Sequence, residues 1–275
     1  MRISIGKLIV VWILAALASV PVIGDEAQQK PWLLHLNGIG GERSIDRMLL
    51  RGLAAGGFDA EMQIFDWTDG RDALISLSNI EHNRKQAAVV AGMILKQCRA
   101  EPGRPIILSG HSGGTGLGAW ALEMLPEDVR VDTWLMLAPA LSPEYDLTKA
   151  LKHVKGKLHV FSSPNDTIVL SAGTKLFGTI DRIKCDAAGL NGFIVPEQGD
   201  LEQYRKLVPH PYQRAWFTRY GSAGTHICPL MPKFSREYVA ILLKTGIAPG
   251  HAQAAAPTPT PTTRPVANLK ATLTP

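Results

Sequence analysis

Residues 110–114 read Gly-His-Ser-Gly-Gly, the spacing Gly-x-Ser-x-Gly that can set a serine up as a nucleophile. A serine on a sharp strand-to-helix turn takes strained dihedrals, so the positions two before and two after it must be small. Gly110 and Gly114 meet that demand. Such a turn would push the Ser112 hydroxyl out at the carboxyl end of its strand. It would also set the Gly113 amide at a helix start, where an oxyanion could be held.

The flanking residues suit that reading. Pro105-Ile106-Ile107-Leu108-Ser109 is an apolar, strand-like run leading into the turn, and a helix-like stretch follows to Leu125, closed by Pro126. A dinucleotide fingerprint overlaps the turn at Gly114-x-Gly116-x-x-Ala119. It would need an acidic residue ending the next strand, which instead ends in Leu137-Ala138-Pro139. Dinucleotide binding is therefore excluded.

With this strand, turn and helix in place, the chain resembles the α/β-hydrolase superfamily over about residues 31–246, the turn being the one specific motif. The resemblance implies a serine esterase-like or lipase-like activity and the chain order nucleophile, acid, histidine. Asp166 is the candidate acid. It follows the apolar run 157–161 in a polar turn, and a residue just past a strand end faces the same sheet edge as Ser112. A turn or cap role is its structural alternative, and Asp146 is the second candidate acid. His226, in Gly224-Thr225-His226, is the candidate base, with glycine freedom on its N-terminal side. His210, between Pro209 and Pro211, precedes the expected last strand and is the alternative. His35, His153 and His159 fall in or beside core elements and read as structural, and His111 flanks the serine without a role of its own. The resemblance aligns Asn37-Gly38 with the His-Gly common after the first strand, which makes the Ile39 amide the second oxyanion donor beside Gly113.

Strand-like runs at 32–36, 61–67, 105–109, 132–137, 157–161 and 215–220 alternate with helix-like stretches at 44–53, 79–100, 147–154, 171–183 and 235–244. That alternation predicts an α/β fold: a mostly parallel central sheet with helices on both faces and no large cap domain. The irregular segment 184–213 could cover the site instead.

The chain has 275 residues, 45% of them apolar, enough for a full core. Residues 1–24 read as a secretory signal: Arg2 and Lys7, then an uncharged run to Ile23 that is short of the ~20 residues a membrane crossing needs. The expectation is an exported protein, with membrane association possible only through an uncleaved N-terminal segment. Residues 25–248 would form the hydrolase domain, and 249–275, rich in Pro, Thr and Ala, a disordered tail. The two ends hold four of the cations behind the net charge of +5, so the folded part is close to neutral and nucleic-acid binding is not indicated. No metal motif or Walker sequence appears, so no metal and no cofactor is expected. The expected substrate is a small-molecule or lipid-like ester; a thioester, an amide, or a non-catalytic binding role on the same fold are the alternatives. Of the three cysteines, Cys98 sits on an apolar helix face as a buried free thiol, leaving Cys185 and Cys228 as the pair an oxidising compartment could join.

Overall fold

The computed structural model describes residues 29–167, 174–246 and 248–249. The expected signal at 1–24, nearly all of the expected tail and residues 171–173 of an expected helix lie outside these. Six strands make one parallel sheet: β1 (Trp32–Leu36), β2 (Glu61–Phe65), β3 (Ile106–His111), β4 (Val131–Leu137), β5 (Val154–Ser162) and β6 (Leu207–Pro211), in the order β2-β1-β3-β4-β5-β6. Because every pairing is parallel, all six carboxyl ends open on one edge. Alternate side chains of each strand face opposite layers. Leu34, Leu36, Leu108, Trp134 and Met136 pack under α3 (Ile80–Ala100) and α4 (Gly113–Glu123). Leu33, Ile107, Leu135 and Phe161 pack against α1 (Ser44–Ala55), α7 (Arg214–Tyr220) and α8 (Ala240–Thr245). β1 and β3 are buried along their whole length, as strands covered on both faces must be.

α2 (Ala73–Ser78) was not anticipated; Asp72 caps it by accepting from the Leu74 amide, and Asn79 caps α3 through the His82 amide. α5 is the short Thr148–Lys152, and α6 only Thr174–Phe177. A π-helical turn, Ser235–Val239, leads into α8. No separate cap domain occurs among the described residues, since the β4–β5 connection holds little beyond α5.

One element is corrected outright. Residues 215–220 are not the last strand but the body of α7, and the last strand is β6, inside the segment expected to be irregular. Aromatic residues favour strands in general, yet Trp216 and Tyr220 lie four apart and are buried on one helix face. Pro209 and Pro211 argue against a strand, but β6 is the sheet edge and pairs only with β5, where proline is tolerated.

That edge strand carries His210 into the core. Its Nε2 meets His159 Nδ1 at 2.9 Å, its Nδ1 meets the Tyr238 hydroxyl at 3.0 Å, and its ring stacks on Phe161 at 4.6 Å. Burial, with some help from the Lys157 charge, holds His159 down to about 4, below its ordinary 6.5. A histidine kept neutral by folding refuses protons that the unfolded chain accepts, so stability is lost as pH falls from about 6.5 towards 4. His111, held to about 3 mainly by burial, adds to the same window. The urea midpoint should therefore drop between pH 7 and pH 4.5, and His159→Gln should lose less of it than the wild type.

Candidate active site

Ser112 sits between β3 and α4 at φ 53°, ψ −122°, a backbone region that costs a non-glycine residue about 1–3 kcal/mol. Its neighbours fix that conformation. The Ser112 amide donates to the Leu137 carbonyl at 3.0 Å, and the Ser112 carbonyl accepts from the Thr115 hydroxyl at 2.6 Å and amide at 3.1 Å. The glycines are needed for space. A Cβ on Gly110 would lie 2.8 Å from the Gly114 carbonyl oxygen, and one on Gly114 would lie 2.5 Å from that of Asn37.

Asp166 is buried in the turn after β5, and its Oδ2 lies 2.6 Å from His226 Nδ1. Asn165 Nδ2 donates to the Ala223 carbonyl at 2.9 Å and ties the two loops together. Gly224, at φ 76°, lets the histidine loop pass close to Ser163 and Tyr212, where a Cβ would come within 2.8 Å of the tyrosine ring. Behind the carboxylate is a cavity of about 20 Å³ lined by Ser162, Ser163, Thr225 and Cys228. That is room for roughly one water.

His111 joins the two halves, a role its position beside the serine did not reveal. Its Nε2–H donates to the His226 carbonyl at 3.1 Å, and the two rings lie 4.8 Å apart. A carbonyl can only accept, so a neutral His111 carries its proton on Nε2. On its other side His111 faces Gly38 of the loop after β1. In that loop the Ile39 side chain reaches the Cα of Gly113, and neither the Ile39 nor the Gly113 amide donates a hydrogen bond among the described residues. With Nδ1 engaged by Asp166, the His226 Nε2 makes no hydrogen bond among the described residues. No hydrogen bond joins that nitrogen to the Ser112 hydroxyl here, and such contacts commonly tighten only when substrate is bound.

The other candidates are placed elsewhere. Asp146 accepts from the Thr148 amide at 2.9 Å at the start of α5. His210 belongs to the buried chain under β5 and β6. His35 bridges Ser109 at 3.0 Å and Asp46 at 3.1 Å, a second Ser-His-Asp set with no opening to solvent. His153 Nδ1 meets the Val129 carbonyl. Among the described residues after β5, Ile180 packs against Gly113 and Gly116 of the turn and its helix. One cysteine reading is corrected: Cys98 is free but only half-buried. Cys185 and Cys228, the pair that an oxidising compartment could join, are both free, and the Cys228 thiol lies 3.2 Å from the Thr225 hydroxyl. Among the described residues no three His, Cys, Asp or Glu side chains are grouped to hold a metal, and no helix is long and apolar enough to cross a membrane.

No family model matches the chain, and no curated protein matches it in sequence. Solved structures similar to it include a dienelactone hydrolase from Anabaena variabilis, at 16% identity and TM-score 0.44 over 79% of this chain and 85% of that one. A predicted CIB-like hydrolase from Thermoplasma acidophilum is similar at 14% identity and TM-score 0.44, over 80% and 88% of the two chains. A lipase-esterase related protein from Clostridium acetobutylicum gives 13% and 0.43, over 80% and 96%.

The packing around the turn makes a stability prediction. Gly114→Ala should cost about 3 kcal/mol or more, because the added methyl meets backbone that cannot yield. Gly92→Ala, on α3 with open space around it, should instead stabilise by about 0.5–1 kcal/mol. Chemical denaturation of the two variants beside the wild type checks both signs. By its own sheet order and its strand, serine and helix turn, the chain has an α/β-hydrolase fold.

Proposed function

We propose that the protein is a serine hydrolase that cleaves an ester or related acyl bond through an acyl-enzyme. The observation that carries this reading is the 2.6 Å bond from His226 to Asp166, on a histidine whose carbonyl is fastened to the residue beside Ser112. His226 Nε2 takes the Ser112 proton as Oγ attacks the acyl carbon, and Asp166 holds the tautomer and balances the imidazolium charge. The Ile39 and Gly113 amides receive the oxyanion. Collapse of the tetrahedral intermediate breaks the acyl–oxygen bond, and His226 returns the proton to the leaving alkoxide. Water then enters, gives its proton to His226, and releases the acid with Ser112 restored. Nothing in these steps calls for a metal or cofactor. The substrate proposed is a small-molecule or lipid-like ester, met outside the cytoplasm if residues 1–24 act as the export signal their pattern suggests.

A hydrolysis screen across acyl chain lengths, together with a fluorophosphonate label, tests the proposal. Ser112→Ala should lose the label and ~10⁴-fold or more in kcat. Asp166→Asn should lose ~10⁴-fold, because the imidazole then takes the wrong tautomer, while Asp146→Asn stays within a few-fold of wild type. Full labelling of Ser112→Ala would refute the mechanism.

A further inference from the structure

The loop from Asn37 to Glu42 is gripped at both ends by one carboxylate. Asp66, the residue after β2, accepts at Oδ1 from Asn37 Nδ2 at 3.2 Å and at Oδ2 from the Glu42 amide at 3.0 Å. The Thr68 amide at 3.0 Å and hydroxyl at 2.7 Å hold Oδ1 in turn. Burial alone would push the Asp66 carboxyl up, but the donors from Glu42, Thr68 and Asn37 outweigh it and hold the group below its ordinary value. The next residue adds a third tie: Trp67, fully buried, donates from Nε1 to the Asn37 carbonyl at 2.6 Å. The Trp67 ring also sits against Gly113, with Cζ2 3.3 Å from where a Cβ there would lie.

Asn37 is oriented entirely by these partners. Its Nδ2 serves Asp66 and the Gly38 carbonyl, and its Oδ1 is buried without a partner among the described residues. An unpaired buried acceptor costs about 1–3 kcal/mol, so the arrangement is one that stability alone would not favour. What it leaves clear is the centre of the loop, where the Ile39 amide donates to nothing among the described residues.

We propose that Asp66 and Trp67 are positioning residues that fix the Ile39 amide for oxyanion binding, a role that rests on Ser112 being the nucleophile. Neither would touch substrate. Their contribution would appear only when negative charge develops on the acyl oxygen, since a donor displaced by about 1 Å can cost ~10²-fold.

The test is steady-state kinetics on Asp66→Ala and Trp67→Phe, with Ser112→Ala and Asp72→Ala alongside. Asp66 is exposed and lies outside the buried core, and Trp67→Phe keeps an aromatic ring in the pocket while deleting the Nε1 donor together with part of the indole. Each should lower kcat roughly 10- to 100-fold with KM within about 3-fold. Affinity for a trifluoromethyl ketone, which forms an oxyanion on the serine, should fall in step with kcat/KM. Asp72→Ala, which removes the α2 cap nearby, should reduce thermal stability and leave kcat unchanged. A raised KM at unchanged kcat, or wild-type kinetics in both variants beside an inactive Ser112→Ala, would overturn the clamp while leaving the nucleophile in place. An active Ser112→Ala would overturn the nucleophile itself. Should Asp66→Ala fail to fold, Trp67→Phe decides.

Discussion

Everything at this sheet edge depends on holding Ser112 in a conformation its backbone does not prefer. The turn stays at φ 53° because the Leu137 carbonyl, the Thr115 hydroxyl and the Thr115 amide all bind the Ser112 peptide units. Those bonds exist only if α4 drops steeply from β3, and α4 can do so only by presenting glycine to the backbone of β1 and its loop. The other glycines of α4 answer to side chains instead: Gly113 to Ile39, Gly116 to Ile180 and Gly118 to Trp134 and Leu108, on a helix that is buried almost throughout. Helix propensity is sacrificed there, at about 1 kcal/mol per glycine, and recovered by burial between α3 and the sheet.

The parallel sheet then does the gathering. Loops after β1, β2, β3, β5 and β6 open on the same edge, so residues far apart in sequence meet without a dedicated domain. Beneath that edge the core holds polar chains that resemble catalytic ones. Ser109, His35 and Asp46 are hydrogen-bonded in the order of a triad, yet each is essentially inaccessible to solvent. Bonding separates this set from the residues at the sheet edge: His35 is joined to both Ser109 and Asp46, whereas His226 is joined to Asp166 but not to Ser112. The inner set satisfies its own buried groups.

What the sequence revealed follows a physical division. The strand, glycine turn and helix around Ser112 are local, and local chemistry was enough to read them. Asp166 lies just past the end of β5, where the strand-end reading put it, whereas His226 was read as following a last strand at 215–220 that is instead α7. β6 was not legible, since Pro209 and Pro211 obscured a strand that pairs along one side only. The aromatic run Trp216–Tyr220 was misread because its burial pattern, not its propensity, decides for a helix. His111 and Asp66 escaped for a different reason: their roles lie in bonds to backbone groups distant in sequence, a carbonyl at 226 and an amide at 42. No spacing rule encodes such partners.

His111 also shows why burial and charge must be considered together at this site. It is fixed 4.8 Å from the ring of His226, which would become cationic as it takes the Ser112 proton. Two positive rings at that separation would repel by about 3 kcal/mol at an effective dielectric near 20, roughly a hundredfold in rate. Burial removes that penalty, because a His111 held to about 3 is neutral at ordinary pH. The single proton of the neutral ring then sits on Nε2, because that atom faces the His226 carbonyl, which can only accept. His226 is thus anchored through its backbone by a group that adds no charge, while its ring bonds Asp166 through Nδ1 and stands 4.8 Å from the His111 ring.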